Sequence, residues 1–199
     1  MKILIFSLFT FILSTVSLDH NVTVSLRALS TSCDSTVLNN FCYGSLNLNA
    51  EGIWVSWDSS KTSPPENAVE GGSDTGGTYY VSRSQYGSNG IIPGKYAPNQ
   101  KYAWFSYGGV ELGSNQFDVL RHTNVWWGEI TDDATKWIPA GIDAAGNVIY
   151  ICQAQVPTSI NANQYTVPGK YHLGRCYIPF NGQEIGLNSG FKVLRQSLR

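Results

Sequence analysis

Asp74, Lys95 and Glu111 stand close to glycine or proline in one part of the chain, and Asp143, Lys170 and Glu184 repeat the trio further on. Two acids and a base at turn-like positions suit the recognition of hydroxyl groups. Every hydroxyl both donates and accepts a hydrogen bond. A carboxylate accepts from two neighbouring hydroxyls, and an ammonium donates to an oxygen they share. Charge-assisted bonds of this kind contribute about 1.5–3 kcal/mol each. A neutral sugar presents this pattern, and an aromatic such as Tyr86, Tyr96 or Tyr171 would cover the apolar face of its ring. A plainer reading uses the same residues. The aspartate caps its own turn through an Asx-type bond, the lysine is a solvated turn residue, and the glutamate pairs with it as a surface ion pair of little energetic weight.

Other chemistries find less support. A glycosidase needs two carboxylates about 5–9.5 Å apart across the scissile bond. Asp74 with Glu111, or Asp143 with Glu184, supplies two acids, but a lysine beside them would lower both pKa values rather than raise one. No G-x-S-x-G motif occurs, and His20, His122 and His172 lie in no recognisable catalytic context. His172 follows Lys170 by two positions, where the first trio has Ala97 after Lys95, and it reads as a surface histidine. The four cysteines, Cys33, Cys42, Cys152 and Cys176, include no C-x-x-C pair and cluster with no histidine, so a zinc site is not expected. No EF-hand loop is present. The chain therefore reads as a binding protein and not an enzyme, with no catalytic residue, no metal and no cofactor.

The elements that must hold the trio are strands. The chain has 20 glycines, 8 prolines, 6 tryptophans, 11 tyrosines and 8 phenylalanines, with 14% charged residues, a balance that favours short strands joined by tight turns. Runs rich in Val, Ile, Tyr and Trp fall at 22–26, 53–57, 78–83, 102–107, 116–120, 125–127, 148–152, 176–180 and 191–194. No segment sustains a 3.6-residue apolar period. The expected fold class is all-β. Trp54, Trp104, Trp126, Trp127, Tyr80 and Tyr150 lie in these runs and read as core.

An internal repeat organises the runs. Gly71-Gly72-Ser73-Asp74, Tyr79-Tyr80-Val81, Pro93-Gly94-Lys95, Tyr107-Gly108-Gly109-Val110-Glu111 and Phe117-Asp118-Val119-Leu120 come first. Ala140-Gly141-Ile142-Asp143, Ile149-Tyr150-Ile151, Pro168-Gly169-Lys170, Phe180-Asn181-Gly182-Gln183-Glu184 and Phe191-Lys192-Val193-Leu194 follow in the same order. The first copy spans residues 52–121 and the second 124–196. Each is too short to bury a good core alone. The two are expected to pack about a pseudo-twofold axis as one compact unit.

The remainder of the chain speaks to location. Lys2, the apolar run 3–13 and small residues up to Ser17 have the order of a secretory signal, giving residues 1–17 as a signal peptide. The apolar run is too short to cross a bilayer, which takes about 20 residues, and no later run suggests a membrane anchor. Residues 18–51 form an extension with an N-glycosylation sequon at Asn21. In an oxidising compartment the cysteines should form two disulfides; Cys33–Cys42 and Cys152–Cys176, which join sequence neighbours, are favoured among three pairings. With 13 basic and 14 acidic residues the chain lacks the basic surface that nucleic acids require and the cluster that binds anionic membranes. Neither partner is expected. The oligomeric state stays open, a homodimer included.

The order of landmarks resembles the DM-nine repeat family: the opening Trp54, the G-G-x-D turn at Gly71–Asp74, Y-V-x-R at Tyr80–Arg83, P-G-K at Pro93–Lys95, Y-G-G-x-E at Tyr107–Glu111 and F-x-V-L at Phe117–Leu120. The second copy departs from it, with Cys152-Gln153 in place of Ser82-Arg83 and a longer stretch between Asp143 and Lys170. Similar tandem pairs occur in invertebrate mannose-binding lectins of innate immunity and at the head of natterin-like proteins. The resemblance implies a secreted lectin for mannose-type glycans on microbial or host surfaces. It assigns sugar binding to Asp74 and Lys95, to Asp143 and Lys170, and less directly to Glu111 and Glu184. A protein-interaction or structural module without a sugar site is the alternative, and a glycan-cleaving hydrolase the third.

Overall fold

Tyr79 and Val81 point one way along their run and Thr78 and Tyr80 the other, and only the first pair is buried. That alternation, repeated along the chain, builds a sheet with one face turned to a core. The computed structural model describes residues 53–197. Its fourteen strands form one sheet. The first copy supplies β1 (Ile53–Asp58), β2 (Glu70–Asp74), β3 (Gly77–Gln85), β4 (Gly90–Ala97), β5 (Tyr102–Tyr107), β6 (Val110–Ser114) and β7 (Gln116–Arg121). The second supplies β8 (Val125–Glu129), β9 (Pro139–Asp143), β10 (Val148–Gln155), β11 (Thr166–His172), β12 (Arg175–Phe180), β13 (Gln183–Leu187) and β14 (Phe191–Gln196). The predicted signal peptide, the extension, Asn21, the run 22–26 and the Cys33–Cys42 pair lie outside the described residues.

The copies repeat one antiparallel pattern. In the first, β1 pairs β7, β7 pairs β3, β3 pairs β4, and β4, β5 and β6 follow as a meander. In the second, β8 pairs β14, β14 pairs β10, β10 pairs β11, and β11, β12 and β13 follow. The halves then exchange edges. β2 pairs β11 through Ser73 and Thr166, and β9 pairs β4 through Gly90 and Asp143. β6 meets β13 through Val110 and Gln183, equivalent residues that straddle the pseudo-twofold axis. These cross-pairings close the sheet into a barrel-like ring, which removes most open edges.

The core is common to both halves. Val81 and Leu120 pack in one cluster with their equivalents Ile151 and Leu194. A second cluster joins Tyr79 and Ala97 to Val167, Ile178 and Val193. Each such side chain contributes about 1.5–3 kcal/mol when fully buried, and much of that is lost if the halves part. Cys152 and Cys176 form a disulfide between β10 and β12, with Cα atoms 5.9 Å apart and both residues fully buried. Ser82 and Ala103 hold the equivalent places in the first copy. Closing a loop of this length stabilises by about 3 kcal/mol on chain-entropy grounds.

Three expectations are corrected. Pro-Gly-Lys is a strand interior, in β4 and again in β11, and not a turn. A Cβ on Gly94 would lie 2.1 Å from the Trp104 carbonyl oxygen, and one on Gly169 2.1 Å from that of Tyr177. The glycine permits close strand approach. Trp126 is 40% exposed on the edge strand β8 and is not core. Of the tyrosine pair Tyr79-Tyr80, Tyr79 is the buried one; Tyr80 is half-buried.

Candidate functional site

Lys95 sits mid-strand in β4 opposite Trp104, and its side chain runs to the seam between the copies. Its Nζ lies 3.0 Å from Glu111 Oε1 and donates to the Pro179 carbonyl of the other copy at 2.8 Å. Glu111 Oε2 accepts from the Gly182 amide at 2.7 Å. The second copy mirrors this. Lys170 Nζ lies 2.7 Å from Glu184 Oε1 and donates to the Ser106 carbonyl at 2.6 Å, while Glu184 Oε2 accepts from the Gly109 amide at 2.8 Å. The Lys170–Glu184 contact is one of charge, since Glu184 Oε1 receives no aligned hydrogen bond. Each pair thus forms within one copy and fastens the other.

These are not surface pairs. The four side chains are 6–10% exposed, so the plainer expectation of a weak surface bridge is corrected. Burial lowers the Lys95 pKa, and the charges of Glu111 and Asp74 oppose it. Aromatic rings flank both ammonium groups: Tyr79 at 4.9 Å and Phe180 at 5.5 Å for Lys95, Tyr107 at 5.1 Å and Tyr177 at 5.2 Å for Lys170. A ring face attracts a cation through its quadrupole. An ammonium has three donors. At Lys95 a carbonyl and a carboxylate take two.

Asp74 closes β2 at the turn into β3. Its Oδ1 accepts from the Gly76 amide at 2.7 Å, and its Oδ2 accepts from the Tyr79 hydroxyl. Tyr79 therefore touches both predicted partners, its hydroxyl on Asp74 and its ring beside Lys95. Burial and then the bond to Asp74 raise the Tyr79 pKa. The second copy adds Phe180 and Tyr165, whose rings lie 6.1 Å apart. The Tyr165 hydroxyl reaches Thr75 Oγ1 at 3.4 Å. The first seam thus gathers Asp74, Tyr79, Lys95 and Glu111 from one copy with residues of the other.

Asp143, at the end of β9, is bound more fully. Oδ1 accepts from the Ala145 and Asn147 amides at 2.9 and 2.8 Å. Oδ2 accepts from Asn147 Nδ2 at 2.8 Å and lies 2.9 Å from His172 Nε2. Partial burial pushes its pKa up, but the Asn147, His172 and Ala145 bonds outweigh this and hold it at about 2. His172 is thus a partner of Asp143, not the surface histidine expected. Because the folded pKa lies below the ordinary carboxylate value of about 3.9, this stabilisation is present above that pH and is lost as pH falls towards 2. Asn147→Ala should raise the Asp143 pKa by up to about one unit, as the side-chain bond to the charged form vanishes while the amide of residue 147 still donates to Oδ1. A carboxyl-carbon NMR titration reads this; an unchanged midpoint would contradict the bonding pattern.

Of the aromatics expected over a ligand, only Tyr86 lies at a seam, 5.1 Å from the Tyr107 ring. Tyr96 is fully buried and Tyr171 packs on Trp137 at 5.2 Å. Phe180, Tyr107, Asn147 and His172 were not foreseen as site residues. Tyr79 was legible from strand alternation, but the contribution of Phe180 depends on the exchange of edges. Among the described residues no cluster of His, Cys, Asp or Glu could hold a metal ion.

The sequence profile of the DM9 repeat matches residues 73–187, which takes in both trios and the strands from β3 to β13. The chain belongs to the DM9 repeat family. No curated protein matches it in sequence. Its DM9 fold resembles the crystal structure of the nematode sperm cell motility protein MFP2B, with a TM-score of 0.56 and 18% identity over 73% of this chain and 47% of that one. At that identity the likeness concerns the fold. The chain spans less than half of MFP2B. In this chain, the P-G-K lysine and the G-x-E glutamate of each copy fasten the repeat pair. The arginine of Y-V-x-R, Arg83, is likewise structural: it pairs with Asp118 at 3.0 Å, lies 4.3 Å from the Trp54 ring and reaches across the copies towards the Ala140 carbonyl.

Proposed function

We propose that this DM9 protein is a secreted lectin that binds mannose-type glycans on microbial or host surfaces, in innate recognition. One observation carries the reading. At the first seam Asp74 uses two of its roughly four acceptor positions, beside an ammonium with a donor to spare and between the rings of Tyr79 and Phe180. A ligand with adjacent hydroxyls and an apolar face matches those groups. The buried disulfide and the signal-like first 17 residues support secretion. Reversible binding is favoured over cleavage because both oxygens of Glu111 are already engaged in holding the repeats together.

A glycan array followed by titration tests the reading. Asp74→Asn keeps the shape but loses the negative acceptor, and should weaken mannoside binding at least about tenfold, with the circular dichroism spectrum unchanged. No glycan signal with folded protein would leave the interaction-module alternative. Turnover of a labelled oligosaccharide, abolished by Glu111→Gln, would make it a hydrolase.

A further inference from the structure

We infer that the two seams are not equivalent: the first takes the sugar, while in the second Asn147 and His172 occupy the carboxylate that would receive it. This rests on the lectin reading above. Asp74 accepts two hydrogen bonds, one from the Gly76 amide and one from Tyr79. Asp143 accepts four, and Asn147 and His172 supply three of them. A carboxylate offers about four acceptor positions in all, so Asp143 is saturated.

Both capping residues belong to the second copy alone. Asn147 comes from the longer turn between β9 and β10, whereas the first copy passes from Asp74 through Thr75 and Gly76 directly into β3. His172 ends β11 at the place of Ala97, which is buried in β4. The tyrosine that links aspartate to lysine in the first seam also has no equivalent, since Ile149 stands where Tyr79 does. A hydroxyl reaching Asp143 must displace a charge-assisted bond already made, so the exchange yields little. At Asp74 the same hydroxyl adds a bond. Asn147 and His172 are therefore specificity-determining residues that act through Asp143.

Isothermal titration with methyl α-mannoside decides this. The wild-type chain should bind about one equivalent. Asp74→Asn should weaken that binding at least tenfold, and Asp143→Asn should change it less than twofold. Asn147→Ala combined with His172→Ala should bring the stoichiometry to about two. Two equivalents in the wild type, a loss with Asp143→Asn matching that with Asp74→Asn, or a folded double variant still binding one would each overturn the inference while leaving the lectin reading intact. Should the double variant fail to fold, the two single aspartate variants still decide the matter. Absence of binding by the wild type and all variants would overturn both.

Discussion

Lys95→Ala should destabilise the protein by about 3–5 kcal/mol, read as a shift of the urea unfolding midpoint. Removing one member of a buried ion pair leaves the other charged and without its counter-ion, which is the source of that magnitude. Here the survivor is Glu111, whose side chain is 9% exposed and keeps only the Gly182 amide. The Pro179 carbonyl loses its donor at the same time. A surface pair would lose about 1 kcal/mol or less, so the measurement separates the two situations cleanly. Replacing both members, as in Lys95→Met with Glu111→Leu, should recover much of the loss, because neither charge then remains. A single-variant loss below about 1 kcal/mol would refute the fastener role. Since Lys95 supports the fold, sugar binding is better tested at Asp74.

The second large effect concerns Gly94. Gly94→Ala should cost about 3 kcal/mol or more, enough to lower the melting temperature by about ten degrees or to prevent soluble expression. The added Cβ would sit 2.1 Å from the Trp104 carbonyl oxygen and 2.9 Å from the Phe105 Cα, both backbone atoms held in the β4–β5 ladder. Gly108→Ala provides the contrast. That glycine has a φ of +65° with nothing within 4 Å of the new Cβ, so the cost is the backbone strain alone, about 1 kcal/mol. Equal melting temperatures for the two variants would show that β5 can move away from β4, against the packing described.

The fold class and the duplication were legible because period-two alternation and recurring landmarks are local properties. Runs such as 102–107 and 191–194 became β5 and β14 with little change. The strands that were missed, β2, β4, β6, β9, β11 and β13, each contain Gly or Pro, as do the ends of β3, β8 and β12. Local propensity reads such residues as turns, whereas here close approach of neighbouring strands requires the glycine. The trio was found, but its geometry was not. Nothing local indicates that Glu111 would reach Gly182, or that Phe180 would flank Lys95, because those contacts follow from the exchange of edges between copies. The difference between the aspartates was half visible. The absence of a counterpart for His172 could be read from the residues after each P-G-K, but the bond it makes could not.

That exchange of edges bears on how the chain acquires its structure during synthesis. When a ribosome has released residues only as far as Arg121, β2 and β4 lack the partners that Thr166 and Asp143 later supply. The early half has bare backbone rims and an uncovered oily face until its twin emerges. Sequence-distant pairing of this sort raises contact order and delays folding, and the waiting intermediate is the species most prone to clump. A helper that shields strand rims would act on this protein in that interval and have little to grip afterwards.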